Sequence, residues 1–219
     1  MGGDAAKSIE AQSRVATGPV ADWVERVGRR LAAVSNPEFT YSFHVIEGRE
    51  INAFALPGGH IYVFSGLRKV ARTDDELAAV LAHEITHAEE HHYARQYGKA
   101  SKRGAILGIF SAVVGLPNLA QNVLGLIDFS MTQKYSRTSE SEADHAGMMR
   151  MARAGFDPQG MISLLENLDR EVDNPSGLDK WLSDHPSGQA RIRAARAELG
   201  QIQRGPTSQN TAVSSVPAP

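Results

Sequence analysis

His83-Glu84-Ile85-Thr86-His87 is the stretch of sequence that decides the fold. It lies within residues 76–94, which contain neither glycine nor proline, and we expect one continuous helix there, capped by Asp74. Apolar residues recur along it at three- and four-residue spacing, at Leu77, Val80, Leu81, Ile85 and Ala88. Because positions i and i+4 share one helix face, about 6 Å apart, His83 and His87 can direct their imidazoles to one cation. The spacing therefore predicts a metal site on a helix.

The residue types in this pentapeptide indicate zinc chemistry. Neutral imidazole nitrogens bind zinc at about 2.0–2.1 Å. Glu84 lies about 100° round the helix from His83, where a carboxylate can act on a zinc-activated water without being a ligand. This combination is typical of zinc peptidases. The pentapeptide also occurs by chance in helices whose histidines are merely half-buried and hydrogen-bonded, so the motif alone leaves both interpretations open.

A third zinc ligand has to come from elsewhere in the chain. The continuation that supplies a third histidine in some zinc peptidases is absent, because Glu90 and Tyr93 stand where glycine and histidine are needed. One straight helix cannot easily place three ligands round a tetrahedral ion. We therefore interpret His91 and His92 as a solvated face near the site.

The acidic residues that begin a second predicted helix, which extends to Arg153, are a better source of the third ligand. Glu140 and Asp144 share one helix face, whereas Glu142 points about 200° away from Glu140. Glu140 can bind the metal, and Asp144 can accept the free ring N–H of a ligand histidine. The alternative is that these acids only complement the positive end of the helix dipole.

Several segments together resemble a known family. H-E-I-T-H at residues 83–87 and Y-S-R-T-S-E-S-E-A-D-H-A-G at residues 135–147 resemble the signatures of the HtpX, Oma-type and CAAX-prenyl-protease zinc peptidases, whose pattern is H-E-x-x-H and then S-R-x-x-E-x-x-A-D. N-A-F-A-L-P-G-G-H-I-Y-V at residues 52–63 looks like the hairpin before the active-site helix, and D-H-P at residues 184–186 with Arg191 matches a downstream element. The resemblance covers about residues 15–200. It implies a gluzincin with one zinc ion per chain on His83, His87 and Glu140.

The resemblance also assigns catalytic roles. Three protein ligands leave the fourth zinc position to water, and Glu84 is the expected general base. The oxyanion needs a second donor besides zinc, for which His185 is the first choice, Arg191 the second and Tyr135 a weaker one. His185 can alternatively be a solvated residue at a helix start, or a fourth ligand that blocks the water.

The remaining sequence predicts an α+β fold that is mainly helical and zincin-like, with a small three-stranded sheet beside the H-E-x-x-H helix. We expect helices over residues 19–35, 157–171 and 187–199, and strands over residues 41–46, 51–56 and 60–64. The edge strand can pair with an extended substrate through Asn52, Ala53, Phe54 and Ala55. The predicted organisation is a poorly ordered segment over residues 1–14, a peptidase domain over residues 15–202 and a disordered tail over residues 203–219.

Composition limits the classes of function. With 219 residues, 42% of them hydrophobic, the chain is long enough for one sizeable core. Its formal net charge of −2 gives no basic surface for nucleic acid, so the expected partners are polypeptide substrates. The sequence does not indicate an oligomeric state. The absence of cysteine excludes thiolate zinc ligands and disulfides.

Residues 104–127 form the most ambiguous segment, because they contain no charged residue. We expect a helical hairpin or lid over the cleft, with contact to a membrane surface as the alternative and a true span as the least favoured one.

No export signal is visible at the start of the sequence, so we expect the signal to be absent from this chain. Family resemblance suggests the periplasm or cell envelope, with membrane association as an alternative. The expected function is a zinc endopeptidase acting on misfolded or misassembled envelope proteins. A metal-containing chaperone or binding module is the alternative, and a purely structural zinc site is the least favoured.

Overall fold

The computed structural model describes residues 6–7, 9–11, 13–56, 58–92, 135–171, 178, 181, 185 and 188–204. The elements, in chain order, are helix α1 (Pro19–Ala32), strands β1 (Ser42–Ile46), β2 (Ala53–Leu56) and β3 (His60–Phe64), a short 3-10 helix (Ser65–Lys69), and helices α2 (Asp74–Glu89), α3 (Arg137–Arg153), α4 (Gln159–Glu171) and α5 (Gln189–Arg204). This order confirms the predicted α+β fold, which is mainly helical with one small sheet. Among the described residues, no helix combines the length and hydrophobicity that a membrane crossing requires. Residues 104–127 lie outside the described residues.

The sheet has the strand order β1-β3-β2, with β3 parallel to β1 and antiparallel to β2. The predicted hairpin is therefore confirmed as β2 and β3, and its turn uses Gly58 and Gly59, whose φ angles of 98° and 95° favour glycine. Residues 14–16 continue the sheet beyond β1, where the N–H of Ala16 donates to the carbonyl of Val45 at 2.8 Å. Consequently β2 is the open edge of the sheet within the described parts of the chain.

Both faces of the sheet are buried, and successive side chains of each strand point to opposite faces. One face packs against the helices through residues such as Ala53, Ile61 and Val63. The opposite face forms a second cluster: Ala6, Ile9, Ile46, Phe54, Leu56, Tyr62 and Phe64. The side chain of Phe54 therefore points away from the helices.

Helix α2 runs through the core, and its residues from Glu76 to Ala88 are all buried. Its N-cap is Thr73, whose hydroxyl accepts the N–H of Glu76 at 3.2 Å while the Glu76 carboxylate accepts the N–H of Thr73 at 3.1 Å. The predicted cap, Asp74, was wrong by one position. Asp74 is the first helical residue, and its carboxylate instead accepts hydrogen bonds from Trp23 and Arg26 on α1, both at 2.7 Å.

Three helices end at other residues than predicted, and the first of them is α1, which ends at Ala32 rather than at residue 35. Helix α2 ends at Glu89 rather than continuing through residue 94, and His91 adopts a left-handed conformation with φ 48°. Helix α5 continues to Arg204, beyond the predicted end at Leu199, because Leu199 and Ile202 still pack on the core. The end of α2 matters most, since it redirects the chain just after the H-E-x-x-H motif.

Candidate metal centre

His83 and His87 lie one turn apart on α2, and their Nε2 atoms face each other at 2.9 Å. Both side chains are buried. Burial disfavours the charged imidazolium, so the pKa of His83 is lowered and the pKa of His87 lies well below its ordinary value. The two rings are therefore neutral, which is the state that binds a metal.

Glu140, in the first turn of α3, brings its carboxylate to the same point. Its Oε1 lies 3.3 Å from His87 Nε2 and its Oε2 lies 3.7 Å from His83 Nε2. Helix α3 passes close to α2 at Gly147, where a Cβ would lie 3.4 Å from the backbone nitrogen of His83, an ordinary contact distance. Burial alone would raise the pKa of Glu140, but its interactions with His185 and His83 outweigh burial and hold that pKa well below its usual range. The carboxylate is therefore ionised, as a metal ligand has to be.

His185 adds a fourth donor to this cluster. Its Nδ1 lies 3.2 Å from His83 Nε2 and 3.1 Å from Glu140 Oε1. His83, His87, Glu140 and His185 each offer one ligand atom, and these atoms all lie within 4.8 Å of one another. Over the ranges that the structure describes, this is the one cluster of three or more such side chains.

The spacing of the donor atoms suits a zinc ion. Zinc binds nitrogen and carboxylate oxygen at about 2.0–2.2 Å, so two ligands of a tetrahedral ion lie about 3.3–3.6 Å apart. The donor pairs measured here lie between 2.9 and 3.7 Å apart. Imidazole and carboxylate are also the zinc ligands open to a chain without cysteine. The residues present therefore fit one zinc ion.

Glu84 follows His83 on α2 and is buried beside the donor cluster. Its Oε1 lies 3.5 Å from His185 Nε2, and its carboxylate is outside the set of ligand atoms. A buried carboxylate that borders a metal centre without ligating it is suited to proton transfer. The structure thus places Glu84 where the sequence predicted a general base.

Asp144 and Arg191 support the ligands from outside the cluster. His83 Nδ1–H donates to Asp144 Oδ1 at 3.0 Å, so the proton sits on Nδ1 and leaves Nε2 for the metal. Arg191 donates to both oxygens of Asp144 and, through Nη1, to Glu140 Oε2, each at 2.7 Å. The sequence predicted Arg191 as the second choice of oxyanion donor. The structure instead places its guanidinium on the two acids of α3, which favours a positioning role.

His92 was misread from the sequence, since its side chain is buried rather than solvated. Its Nδ1 lies 2.8 Å from His87 Nδ1, and its Nε2 lies 2.9 Å from Glu142 Oε2. The left-handed conformation of His91, which stays exposed, redirects the chain at this point. Because the prediction assumed a helix through residue 94, helical phase could not identify the contact.

Two aromatic rings border the cluster. Tyr135 stacks on His87 with ring centroids 3.9 Å apart, and Trp181 stacks on His185 at 4.5 Å. Tyr135 was predicted as a weaker oxyanion donor, and the structure places its ring flat against a metal ligand. Trp181 was not predicted, and no motif in the sequence marks it. Stacking of this kind restricts the orientation of both imidazoles.

The predicted substrate strand is the edge strand β2 together with the residue before it. Asn52 Oδ1 accepts the N–H of Ala53 at 2.9 Å, and Asn52 Nδ2 is buried without a hydrogen-bond partner in the described parts of the chain. Ala53 and Ala55 face the helices, whereas Phe54 belongs to the cluster on the opposite face of the sheet. A peptide-binding role for this strand stays a prediction, and the strand would bind a peptide through the N–H and C=O groups of its backbone.

An H-E-x-x-H helix, a glutamate from a later helix and a small sheet with an open edge together define a zincin-like metal centre of the gluzincin type. Comparison with known proteins agrees. The sequence profile of peptidase family M48 matches residues 20–199, which is most of the chain. The chain therefore belongs to peptidase family M48, and the family expected from its motifs is confirmed.

Its relatives carry the names of proteases. The chain is 36% identical over 186 residues to the mitochondrial metalloendopeptidase OMA1 of Schizosaccharomyces pombe, which covers 84% of this chain and 55% of the relative. It is 32% identical over 191 residues to a putative beta-barrel assembly-enhancing protease of Vibrio cholerae, covering 82% and 39% respectively. It is 30% identical over 192 residues to the beta-barrel assembly-enhancing protease of Escherichia coli K12, and the match covers 83% of this chain and 39% of the relative. The chain thus spans about half or less of the length of these relatives.

Proposed function

We propose that this chain is a zinc-dependent endopeptidase that hydrolyses peptide bonds in polypeptide substrates. The observation that carries the proposal is the buried cluster of His83, His87 and Glu140, with the carboxylate of Glu84 beside it. Membership of family M48 supports the same reaction class. A structural zinc site would not need a carboxylate at Glu84, and burying that carboxylate at the edge of the cluster costs folding free energy.

Each residue at the centre has a proposed part in the reaction. His83 and His87 through Nε2, and Glu140 through its carboxylate, would hold one zinc ion per chain. When bound, zinc acts as a Lewis acid that polarises a peptide carbonyl and acidifies water. Glu84 accepts the proton of the attacking water on a carboxylate oxygen and then delivers it to the nitrogen of the leaving amine.

His185 has two compatible parts in this proposal. Its Nδ1 lies among the donor atoms and its Nε2 faces Glu84 at 3.5 Å, so in the arrangement seen here the ring fills the space that a water and a scissile bond need. A substrate therefore requires the ring to swing aside. From that position an imidazole N–H can donate to the oxyanion. We propose that His185 closes the resting site and assists the reaction once displaced.

The names of the relatives support a proposal for the substrate class and the location. Two of them are named as proteases that enhance assembly of β-barrels, and another is a mitochondrial metalloendopeptidase. We propose by this likeness that the chain removes misfolded or misassembled proteins of the cell envelope, with the periplasm as its location. The edge strand β2 is proposed to bind the substrate backbone by strand addition.

A metal analysis combined with casein digestion tests this proposal. The purified chain should contain one zinc ion and cleave casein, lose cleavage on treatment with a chelator, and regain it when one equivalent of zinc is restored. A chain that binds zinc and retains partner binding but never cleaves would support the alternative of a metal-containing chaperone or binding module.

A further inference from the structure

The contacts of His92 have no part in the reaction proposed above. His92 lies three residues beyond the end of α2, and its ring is buried, with 1% of its surface exposed. Its centroid lies 4.9 Å from that of His87, with the two planes at 72°. In this arrangement Nδ1 of His92 meets Nδ1 of His87 at 2.8 Å, and Nε2 of His92 meets Glu142 Oε2 at 2.9 Å.

The proton positions in the contacts between His87, His92 and Glu142 follow from the chemistry of imidazole. If Nε2 of His87 binds the metal, the ring proton of His87 is on Nδ1 and needs an acceptor, because a buried N–H without one is costly. His92 Nδ1 is that acceptor only when the proton of His92 is on Nε2. That second N–H then donates to the carboxylate of Glu142. One assignment of protons thus satisfies both contacts, and it leaves Nε2 of His87 with a free lone pair.

We infer that His92, held by Glu142, is a positioning residue that fixes the tautomer and orientation of the ligand His87. The inference rests on the proposed zinc site. In this arrangement each ligand histidine has an acceptor for its Nδ1–H. Asp144 accepts from His83 Nδ1 at 3.0 Å, and His92 accepts from His87 Nδ1. A ligand histidine whose second nitrogen has an oriented acceptor binds its metal more tightly.

Helix α3 then supplies three consecutive functional acids on alternate positions. Glu140 is a metal ligand, Asp144 supports His83, and Glu142 supports His87 through His92. The sequence showed only that Glu142 is on a different face of the helix from Glu140. Redirection of the chain after α2 is what brings His92 to that face.

A pair of substitutions separates positioning from packing. His92→Asn places an amide oxygen near the position of Nδ1 and can still accept from His87, whereas His92→Phe fills the space but has no acceptor. We expect zinc affinity of the whole chain, measured by competition with a chromophoric chelator, to fall about 10–100-fold for His92→Phe and to stay within about threefold of wild type for His92→Asn. The visible spectrum of the cobalt-substituted chain should change more for His92→Phe than for His92→Asn. His91→Asn, at the neighbouring exposed position, is the matched control and should change neither reading.

Equal zinc affinity of His92→Phe and wild type would overturn the inference, as would a His92→Asn variant as weak as His92→Phe, because shape alone would then matter. Should His92→Phe fail to fold, Glu142→Ala decides: it removes the acceptor from a partly exposed position and should weaken zinc binding, whereas unchanged affinity would overturn the inference. If the wild-type chain binds no zinc at all, the proposed function fails. If the wild-type chain binds zinc and the variants bind it with the same affinity, only the role of His92 is contradicted.

Discussion

Arg191→Met gives the sharpest test of how the metal centre is built. The side chain of Arg191 is 11% exposed, and its hydrogen bonds include two to Asp144 and one to Glu140, each of 2.7 Å. Methionine keeps much of the apolar volume but removes the guanidinium, so two buried carboxylates lose their shared cation. Removing one partner of a buried ion pair destabilises a protein by about 3–5 kcal/mol. We expect a loss of that size in the free energy of unfolding.

Urea unfolding with a chelator present measures this loss without a contribution from metal. Arg196→Met is the matched control, because Arg196 lies on the same helix and pairs with Glu166 at 2.7 Å, but both side chains are exposed. An exposed pair contributes about 0–1 kcal/mol, so the control should change little. Arg191→Lys should fall between the two, since lysine keeps the charge but cannot bind Asp144 through two parallel hydrogen bonds. If Arg191→Met is no less stable than Arg196→Met, the proposed positioning role is wrong.

Three further predictions concern the metal ligands, His185 and the N-cap of α2. Glu140→Ala should abolish stoichiometric zinc binding, whereas Asp144→Ala should weaken zinc affinity about 10–100-fold, as loss of a ligand's partner does; a competition titration that ranks them in the reverse order contradicts the assignment. His185→Ala should keep its zinc and lose about 10²–10³ in kcat with little change in KM, because an oxyanion donor acts only in the transition state; faster casein cleavage would mean that His185 only blocks the site. Thr73→Ala should lower the free energy of unfolding by about 1 kcal/mol through loss of the α2 cap, and a denaturation curve superimposable on that of wild type would contradict the capping box.

Helical periodicity predicted most of the metal centre. The i, i+4 spacing of His83 and His87 and of Glu140 and Asp144 placed each pair on one face, and the structure brings both faces together. The family resemblance added the relation between the two helices, which periodicity alone does not contain. The strand pattern likewise predicted three strands and the β2–β3 hairpin, but the parallel pairing of β1 with β3 joins distant segments and is set by packing.

The misread residues lie where tertiary contacts override local sequence preference. Helix α2 ends at Glu89, whose carboxylate accepts hydrogen bonds from Tyr41, Arg150 and the backbone N–H of Asn36. These partners are 48, 61 and 53 residues away in the sequence, so no local pattern predicts the end of the helix or the position of His92. The N-cap was wrong for a related reason, because the carboxylate of Asp74 pairs with α1 instead of capping α2.

Glu84→Gln tests the central claim most directly, because it removes the proposed general base while keeping the shape of the side chain. Zinc content and casein cleavage should be measured on the same preparations of wild type, Glu84→Gln and the exposed control Glu38→Gln. We expect all three to hold one zinc ion per chain, and Glu84→Gln alone to lose about 10²–10⁴ in kcat, the usual contribution of a general base. A Glu84→Gln variant that holds zinc and cleaves casein at the wild-type rate would contradict the account.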